Sequence, residues 1–258
     1  MVALAGTGQS PASADDLEST PLLRSDVNDD PAVPPSGGAP SSITLVAASS
    51  FAGGAALLAQ VGLLVATVVL WRVLWLHPAG LFTYHPSFQS IAVLGFLEGI
   101  LLLQPPPASA AHKRKSLQLH QVFQYTSLVC IVTGAGYIVY NKAIHGAKHI
   151  TTWHATFGVV TLVLIFLQIA FGALVVYGPL QRQLGGEGKA KSLWKYHRMS
   201  GYLTLLFLLA TPFLALWSDW VRNNSSAGER YAIGGGLVLA GAGAVARVQT
   251  SKLGLKRQ

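Results

Sequence analysis

Long apolar stretches separated by short polar connections dominate the chain from about residue 43 onward. A helix needs roughly 20 residues to cross about 30 Å of hydrocarbon, and each stretch is close to that length. The pattern therefore predicts an all-α membrane protein with six transmembrane helices. Their predicted bounds are Ile43 or Phe51 to Leu74, His85 to Leu103, Leu117 to Tyr140, Thr152 to Tyr177, Trp194 to Trp217 and Tyr231 to Val248.

The two ends of the chain differ from this pattern. Residues 1–42 are rich in Ser, Pro, Gly and Asp and hold few large apolar side chains, which is typical of a disordered tail. Residues 251–258 form a short basic tail. We expect one transmembrane domain over residues 43–250 between these two cytosolic tails. The segment Glu18 to Leu23 resembles an acidic dileucine signal, which favours a vacuolar or other endomembrane over the plasma membrane, although so short a motif also arises by chance.

The composition agrees with a membrane protein. Hydrophobic residues make up 51% of the chain and charged residues only 11%, whereas roughly a quarter of a soluble domain is charged. The net charge is +8, but Lys and Arg lie in connections and the C-terminal tail rather than among aromatic residues along one face. Nucleic-acid binding is therefore not predicted. The single cysteine, Cys130, has no partner for a disulfide.

The distribution of basic residues predicts the orientation in the membrane. They concentrate in the second and fourth connections and in the C-terminal tail, as Lys113, Arg114, Lys115, Arg182, Lys189, Lys191, Lys195, Lys252, Lys256 and Arg257. Because basic loops stay in the cytoplasm, both termini are expected there. Asn223 and Asn224 begin glycosylation sequons in a connection that this topology places outside, which agrees.

Four of the eight histidines occupy equivalent positions in successive predicted spans. His85, His120, His154 and His197 each lie within the first turn or two of spans two to five. Neighbouring helices alternate in direction, so one pair, His85 and His154, falls at the outer face. The other pair, His120 and His197, falls at the cytoplasmic face, about 20 Å away.

Histidine pairs in this arrangement suit haem. Two neutral imidazoles saturate the axial positions of haem iron, which then serves electron transfer rather than oxygen binding. Gly158 and Gly201 follow His154 and His197 by four residues, on the same helix face, and make room for a flat macrocycle. Gly172 and Gly134 lie on the faces of His154 and His120, near the opposite pair. Interfacial histidines and ordinary packing glycines are the alternative for each residue alone, but the repetition over four helices favours ligation.

The sequences around these histidines carry a family resemblance. The ordered segments Phe82-Thr-Tyr-His85-Pro86, Leu119-His120-Gln-Val, Thr152-Trp-His154-Ala and Lys195-Tyr-His197-Arg-Met-Ser-Gly201 resemble the cytochrome b561 family over about residues 50–250. They are most similar to its short six-helix transmembrane reductases.

This resemblance implies two haems b per chain, ligated by His85 with His154 and by His120 with His197, inside a bundle of helices two to five. It also implies an ascorbate-dependent oxidoreductase. Cytosolic ascorbate or a similar donor would be oxidised, and a ferric chelate or monodehydroascorbate would be reduced on the lumenal or extracellular side.

Several polar residues are candidate contacts for haem or substrate. We expect Lys148 and His149 near the outer pair, where they would attract a propionate or an anionic acceptor. Arg198 follows His197 and would pair with a propionate. The donor-binding candidates are Lys113, Arg114, Lys115 and Lys195. Solvated loops, lipid headgroup contacts and snorkelling side chains remain the alternatives for these basic residues.

Glu98 stands out because a carboxylate inside a span is costly and usually functional. It either accepts a proton or contacts the donor, or it bonds a neighbouring helix.

Three rival functions fit a membrane protein of this size. A quinol-oxidising cytochrome b usually has two histidines on each of two helices, and no predicted span contains such a pair. A small transporter is disfavoured because no inverted repeat is apparent. A haem-free scaffold would not explain the histidines. A homodimer is compatible with the sequence.

Overall fold

The computed structural model describes residues 53–177 and 187–249, together with Val46, Phe51 and Gln183. The helices in these ranges are α1 (Gly54–Leu76), α2 (Leu81–Leu101), α3 (Ala110–Ile144), α4 (Trp153–Tyr177), α5 (Glu187–Ala215), α6 (Asp219–Asn224) and α7 (Ala227–Ala246). The predicted tails, 1–42 with the dileucine segment and 251–258, lie outside the described residues. The all-α prediction is confirmed for the part of the chain that is described.

Four of these helices, α1, α3, α4 and α5, are long and apolar enough to cross a membrane. Two further long helices, α2 with 21 residues and α7 with 20, carry more polar positions. His85, Gln89 and Glu98 lie in α2, and charged residues begin α7. The protein is an integral membrane protein, as expected from the sequence, and the six-span topology stays a prediction.

Helices α3 and α5 begin seven residues before the predicted spans, at Ala110 and Glu187. Ser109 caps α3 by accepting a hydrogen bond from the His112 backbone N–H at 3.1 Å. The helices thus continue through polar, basic segments that hydropathy alone does not assign to a membrane span. His120 and His197 are therefore each ten residues past the start of the helix, although the apolar span within α5 begins at Ser192, five residues before His197.

The long helices pack as three antiparallel pairs: α2 with α3, α4 with α5, and α1 with α7. The α2–α3 hairpin and the α4–α5 hairpin each have close internal contact, but the contact between the two hairpins is sparse. The polypeptide therefore leaves room between the hairpins.

Glycines bring α1 and α7 into backbone contact. A Cβ atom at Gly62 would lie 2.5 Å from the Gly236 carbonyl oxygen, and one at Gly243 would lie 2.5 Å from the Ala55 carbonyl oxygen. Small residues allow such close approach between membrane helices. At one end of the pair Arg72 forms an ion pair with Glu229, which also completes a capping box with Ser226.

One end of the molecule carries exposed aromatic side chains. Trp75 is in the last turn of α1, Trp153 begins α4, Trp217 follows α5 and Tyr231 is in the second turn of α7, and their exposed fractions are 86, 72, 60 and 79%. Because neighbouring helices are antiparallel, these ends share one face. Trp and Tyr concentrate at membrane–water interfaces, so this belt indicates a membrane boundary.

The contact between α1 and α7 can be tested at two adjacent glycines. Gly236→Ala is expected to lower the free energy of unfolding by about 1–3 kcal/mol, because its Cβ would meet the backbone of Gly62 and Ala66. Gly235→Ala is the matched control, since a Cβ there meets nothing within 4 Å. Thermal unfolding in detergent measures both, and equal effects of the two substitutions would contradict this packing.

Candidate functional site

The outer pair of histidines is assembled from the two hairpins. The rings of His85 on α2 and His154 on α4 have centroids 6.1 Å apart, with 73° between their planes. The Nδ1 atom of His85 lies 2.9 Å from the carbonyl oxygen of Gly134 on α3. The Nδ1 atom of His154 lies 2.9 Å from the carbonyl oxygen of Thr211 on α5.

These hydrogen bonds determine which ring nitrogen of each histidine can bind a metal ion. A backbone carbonyl can only accept a hydrogen bond, so Nδ1 carries the proton and the neutral Nε2 keeps a free lone pair. The two nitrogens lie on opposite edges of the ring, and Nδ1 faces the histidine's own hairpin. Nε2 of His85 and Nε2 of His154 are therefore directed away from the carbonyl oxygens of their own hairpins.

The inner pair lies at the opposite end of the hairpins. His120 on α3 donates from Nδ1 to the Gly99 carbonyl oxygen at 2.8 Å, and His197 on α5 is close enough to His120 for electrostatic interaction. Gly99 is in the last turn of α2, where carbonyls lack helical partners. The backbone N–H of Leu103, four residues on, instead donates to Ile100. His120 thus satisfies a free helix-end carbonyl.

Aromatic residues and a glycine surround His197. Phe171 stacks on its ring and Trp194 meets it edge-on, both with centroids 5.9 Å away. A Cβ at Gly172 would lie 3.0 Å from Cε1 of the ring. The sequence placed Gly172 and Gly134 near the opposite pair, and both positions are confirmed, since Gly134 accepts the bond from His85.

The residues fit an axially ligated haem. Two metal–imidazole bonds of about 2 Å, with each centroid roughly 1 Å behind its nitrogen, place two ligand rings about 6 Å apart. The outer pair has this spacing. Among the described residues no group of three or more His, Cys, Asp and Glu side chains could hold a metal ion. Two ligands suffice where the macrocycle supplies the other four.

A family model described as eukaryotic cytochrome b561 matches residues 84–222, which contain all four histidines. The chain belongs to the eukaryotic cytochrome b561 family. Proteins of this family bind haem b, and the match covers α2 to α6 without α1 and α7.

Named relatives agree with this assignment. Transmembrane reductase CYB561D2 of Bos taurus is 28% identical over 182 residues, which cover 69% of this chain and 78% of the relative. The Homo sapiens protein of that name is 28% identical over 171 residues, 65% of this chain and 73% of the relative. Probable transmembrane reductase CYB561D1 of Mus musculus is 28% identical over 145 residues, 55% and 62% respectively. No solved structure matches the chain.

At the outer pair the structure points to a basic residue that the sequence analysis did not select. Lys142, near the end of α3, places its positive charge near both His85 and His154. Its Nζ donates to the carbonyl oxygen of Lys148 at 2.9 Å and so holds the connection to α4. The selected residues Lys148 and His149 are both exposed on that connection.

At the inner pair the basic candidates lie on the helical extensions. Lys113, Arg114 and Lys115 occupy the first two turns of α3, and exposed Lys195 lies over the Tyr196 ring at 4.9 Å. Half-buried Arg198 interacts electrostatically with His197 and Tyr202. Their roles toward donor and propionate stay predictions.

Glu98 has a structural partner. Its carboxylate accepts a hydrogen bond at 3.1 Å from the Gln60 side chain on α1. The contact joins the α1–α7 pair to the α2–α3 hairpin, which favours the interpretation that Glu98 bonds a neighbouring helix.

Two glutamines with a structural role were missed by sequence reasoning. Gln89 and Gln124 follow His85 and His120 by four residues and donate to the carbonyls of Ile131 and Phe96, at 3.1 and 3.3 Å. The sequence contains the segment His-x-x-Phe-Gln twice, beginning at His85 and at His120. The two segments run in opposite directions because α2 and α3 are antiparallel.

The fit of His197 can be tested at Gly172. Gly172→Ala is expected to speed haem loss from the inner pair roughly tenfold, because the added methyl group displaces the ring, as other changes around metal ligands do. Gly136→Ala is the matched control, since a Cβ there would meet nothing within 4 Å. Transfer of haem to apomyoglobin measures both rates, and equal rates would contradict the close contact at Gly172.

Proposed function

We propose that this protein is a transmembrane oxidoreductase that carries electrons through two haems b, one in each histidine pair. Helices α2 to α5 form the four-helix bundle around them, and α2 and α7 complete six membrane spans. The family assignment and the names of the relatives support electron transfer across a membrane. The single observation that carries the haem assignment is the outer pair, with ring centroids 6.1 Å apart.

The protein's own part is to orient the ligands. When bound, the haems supply one-electron carriers whose axial positions are both filled. The Nδ1 hydrogen bonds of His85, His120 and His154 fix the tautomer that offers Nε2. The two histidines of each pair come from different hairpins, so their binding to one haem iron also joins the hairpins.

The cytoplasmic end is the donor side in this proposal. Lys113, Arg114, Lys115 and Lys195 place positive charge beside the inner pair, where it attracts the monoanion of ascorbate or a similar donor. Arg198 is proposed to pair with a propionate there. Oxidation of the donor releases one electron and one proton on this side.

The opposite end is the acceptor side. Lys142 adds positive charge at the outer pair, and exposed Lys148 and His149 are proposed to meet an anionic ferric chelate or monodehydroascorbate. Both termini are proposed to be cytoplasmic, in a vacuolar or other endomembrane. Where the cytoplasm is the negative side, moving an electron outward gains about 2.3 kcal/mol per 100 mV.

Haem counting tests this function. The purified wild-type protein is expected to contain two haems b per chain, seen in the reduced-minus-oxidised spectrum. His154→Ala and His197→Ala should each retain one, because each removes a ligand from a different pair. His77→Ala is the control and should retain two, since His77 is exposed and lies outside both pairs.

Two results would overturn the proposal. A colourless wild-type protein would indicate a haem-free scaffold or transporter. Full haem content in both histidine variants would show that the pairing is wrong.

The role of Lys142 can be separated from that of Lys148. Lys142→Gln is expected to shift the reduction equilibrium of the outer haem roughly threefold to tenfold toward the oxidised form, because a nearby cation favours the added electron. Lys148→Gln should leave that equilibrium unchanged and instead raise the ferric chelate concentration needed for half-maximal rate. Redox titration and chelate reduction assays measure the two effects, and a larger redox shift in Lys148→Gln would reverse the assignment.

A further inference from the structure

Acidic residues are distributed unevenly along the chain. Residues 1–42 contain six of its ten Asp and Glu residues, and none occurs between Glu98 and Glu187 or after Glu229. The six are Asp15, Asp16, Glu18, Asp26, Asp29 and Asp30. They define an acidic segment, Asp15 to Asp30, in which Arg24 is the one basic residue. The N-terminal part of the chain is therefore negative, whereas the rest of the chain is strongly positive.

The starts of α3 and α5 form a basic surface beside the inner histidines. Each of its residues lies two to seven positions before His120 or His197, whose charges are close enough to interact. The basic surface consists of Lys113, Arg114, Lys115 and Lys195. Arg114 and Lys195 are exposed, and the other two are half-buried. The sequence places no acidic residue within seven positions of any of the four.

Three contacts place the start of α1 at the same end of the molecule. A Cβ at Gly243, near the end of α7, would lie 2.5 Å from the carbonyl oxygen of Ala55 in the first turn of α1. Gln249, just after α7, donates from Nε2 to the carbonyl oxygen of Gln104 at 2.6 Å. Gln104 follows α2, and its Oε1 accepts a hydrogen bond from the Tyr202 hydroxyl of α5 at 3.2 Å. The chain therefore enters α1 at the end that holds the basic surface.

The chain before α1 is long enough to reach this surface. Asp30 precedes Gly54 by 24 positions, and an extended chain of that length spans up to about 80 Å. A helix with its side chains is about 10–12 Å wide, so a few helix widths separate the start of α1 from the starts of α3 and α5. A segment tethered within reach acts at an effective concentration on the order of millimolar. Contact therefore requires no second molecule.

Charge makes the acidic segment a competitor of an anionic donor. The ascorbate monoanion brings one negative charge to the basic surface, whereas the acidic segment brings several on one chain. Opposite charges attract within about 8 Å at physiological ionic strength. Each exposed ion pair is weak, so contact of this kind depends on several pairs at once and is reversible. The segment and the donor are thus suited to the same cations.

We propose that the acidic segment, Asp15 to Asp30, docks on the basic surface and competes there with the anionic electron donor. The docked segment weakens donor binding, and its effect falls as ionic strength rises. The identity of the competing donor rests on the proposed function, but the contact itself does not.

A zero-length carbodiimide cross-link tests the contact without relying on haem. The full-length protein is placed in nanodiscs of phosphatidylcholine, which has no net charge, at low ionic strength. Peptides that join the acidic segment to Lys113, Lys115 or Lys195 are expected by mass spectrometry. They should disappear at about 1 M salt, where charges interact only within about 3 Å.

Lys142 and Lys148, at the opposite end of α3 and beyond it, are the internal control and should not be linked to the acidic segment. Equal linkage to both sets of lysines, or none to the basic surface, would overturn the inference.

Neutralising the acidic segment tests the competition. Five aspartates are replaced by asparagine, and Glu18 is kept so that the dileucine segment is unchanged. The replaced residues are Asp15, Asp16, Asp26, Asp29 and Asp30. At low ionic strength the ascorbate concentration for half-maximal haem reduction should fall at least threefold, with the maximal rate unchanged. At about 1 M salt the variant and the wild type should coincide.

A second variant keeps the charge of the tail and changes as many of its residues. It carries alanine at five serines, Ser10, Ser13, Ser19, Ser25 and Ser36. Its half-maximal ascorbate concentration should equal that of the wild type. An equal value in the wild type and the asparagine variant, or an equal fall in both variants, would overturn the inference.

The two proposals fail in different ways. A wild-type protein without haem contradicts the proposed function, while the cross-links still decide whether the acidic segment docks. A protein with two haems, reduced by ascorbate equally well with and without the acidic charges, contradicts only the competition.

Discussion

The hydrogen bond from a histidine Nδ1 to its own hairpin is the interaction on which the rest of this structure depends. It lets each helix pair be completed before any cofactor is bound, because the donor and the acceptor are on neighbouring helices. It also points Nε2 out of the hairpin. The contact between the hairpins is sparse, and under the proposed function the groups that join them are ligands directed into the space between rather than side chains packed across it.

Membrane surroundings make this arrangement demanding, since a polar group without a partner in hydrocarbon costs several kcal/mol. The structure meets this constraint. Among the described residues, every buried side-chain nitrogen and oxygen has a hydrogen-bond partner. The side chains of Gln89, Gln124 and Gln168 each donate to a backbone carbonyl on the other helix of the same hairpin. The carboxylate of Glu98 accepts a hydrogen bond from Gln60 on α1. Polar residues that lower the mean hydropathy of α2 therefore bind helices together, and they are consistent with a buried span.

Helix positions, the four histidines and the family were predictable from the sequence, because they depend on local hydropathy and on residue spacing along one helix. The helical starts of α3 and α5 were not, since polar residues such as Lys113 give no hydropathic signal and the Ser109 cap depends on backbone conformation. Lys142 and Gln168 were missed for another reason. Their contacts join separate segments of the chain, which the pattern of residues along one helix does not show.

The proposed function requires two haem irons between the hairpins, one in each pair of histidines. Anomalous scattering from a crystal, measured at the iron absorption edge, tests it most directly. We expect two iron peaks about 20 Å apart, since each hairpin separates its two histidines by nearly four helical turns. One peak should lie between His85 and His154 and the other between His120 and His197. A single iron peak, or a peak away from these pairs, would contradict the account.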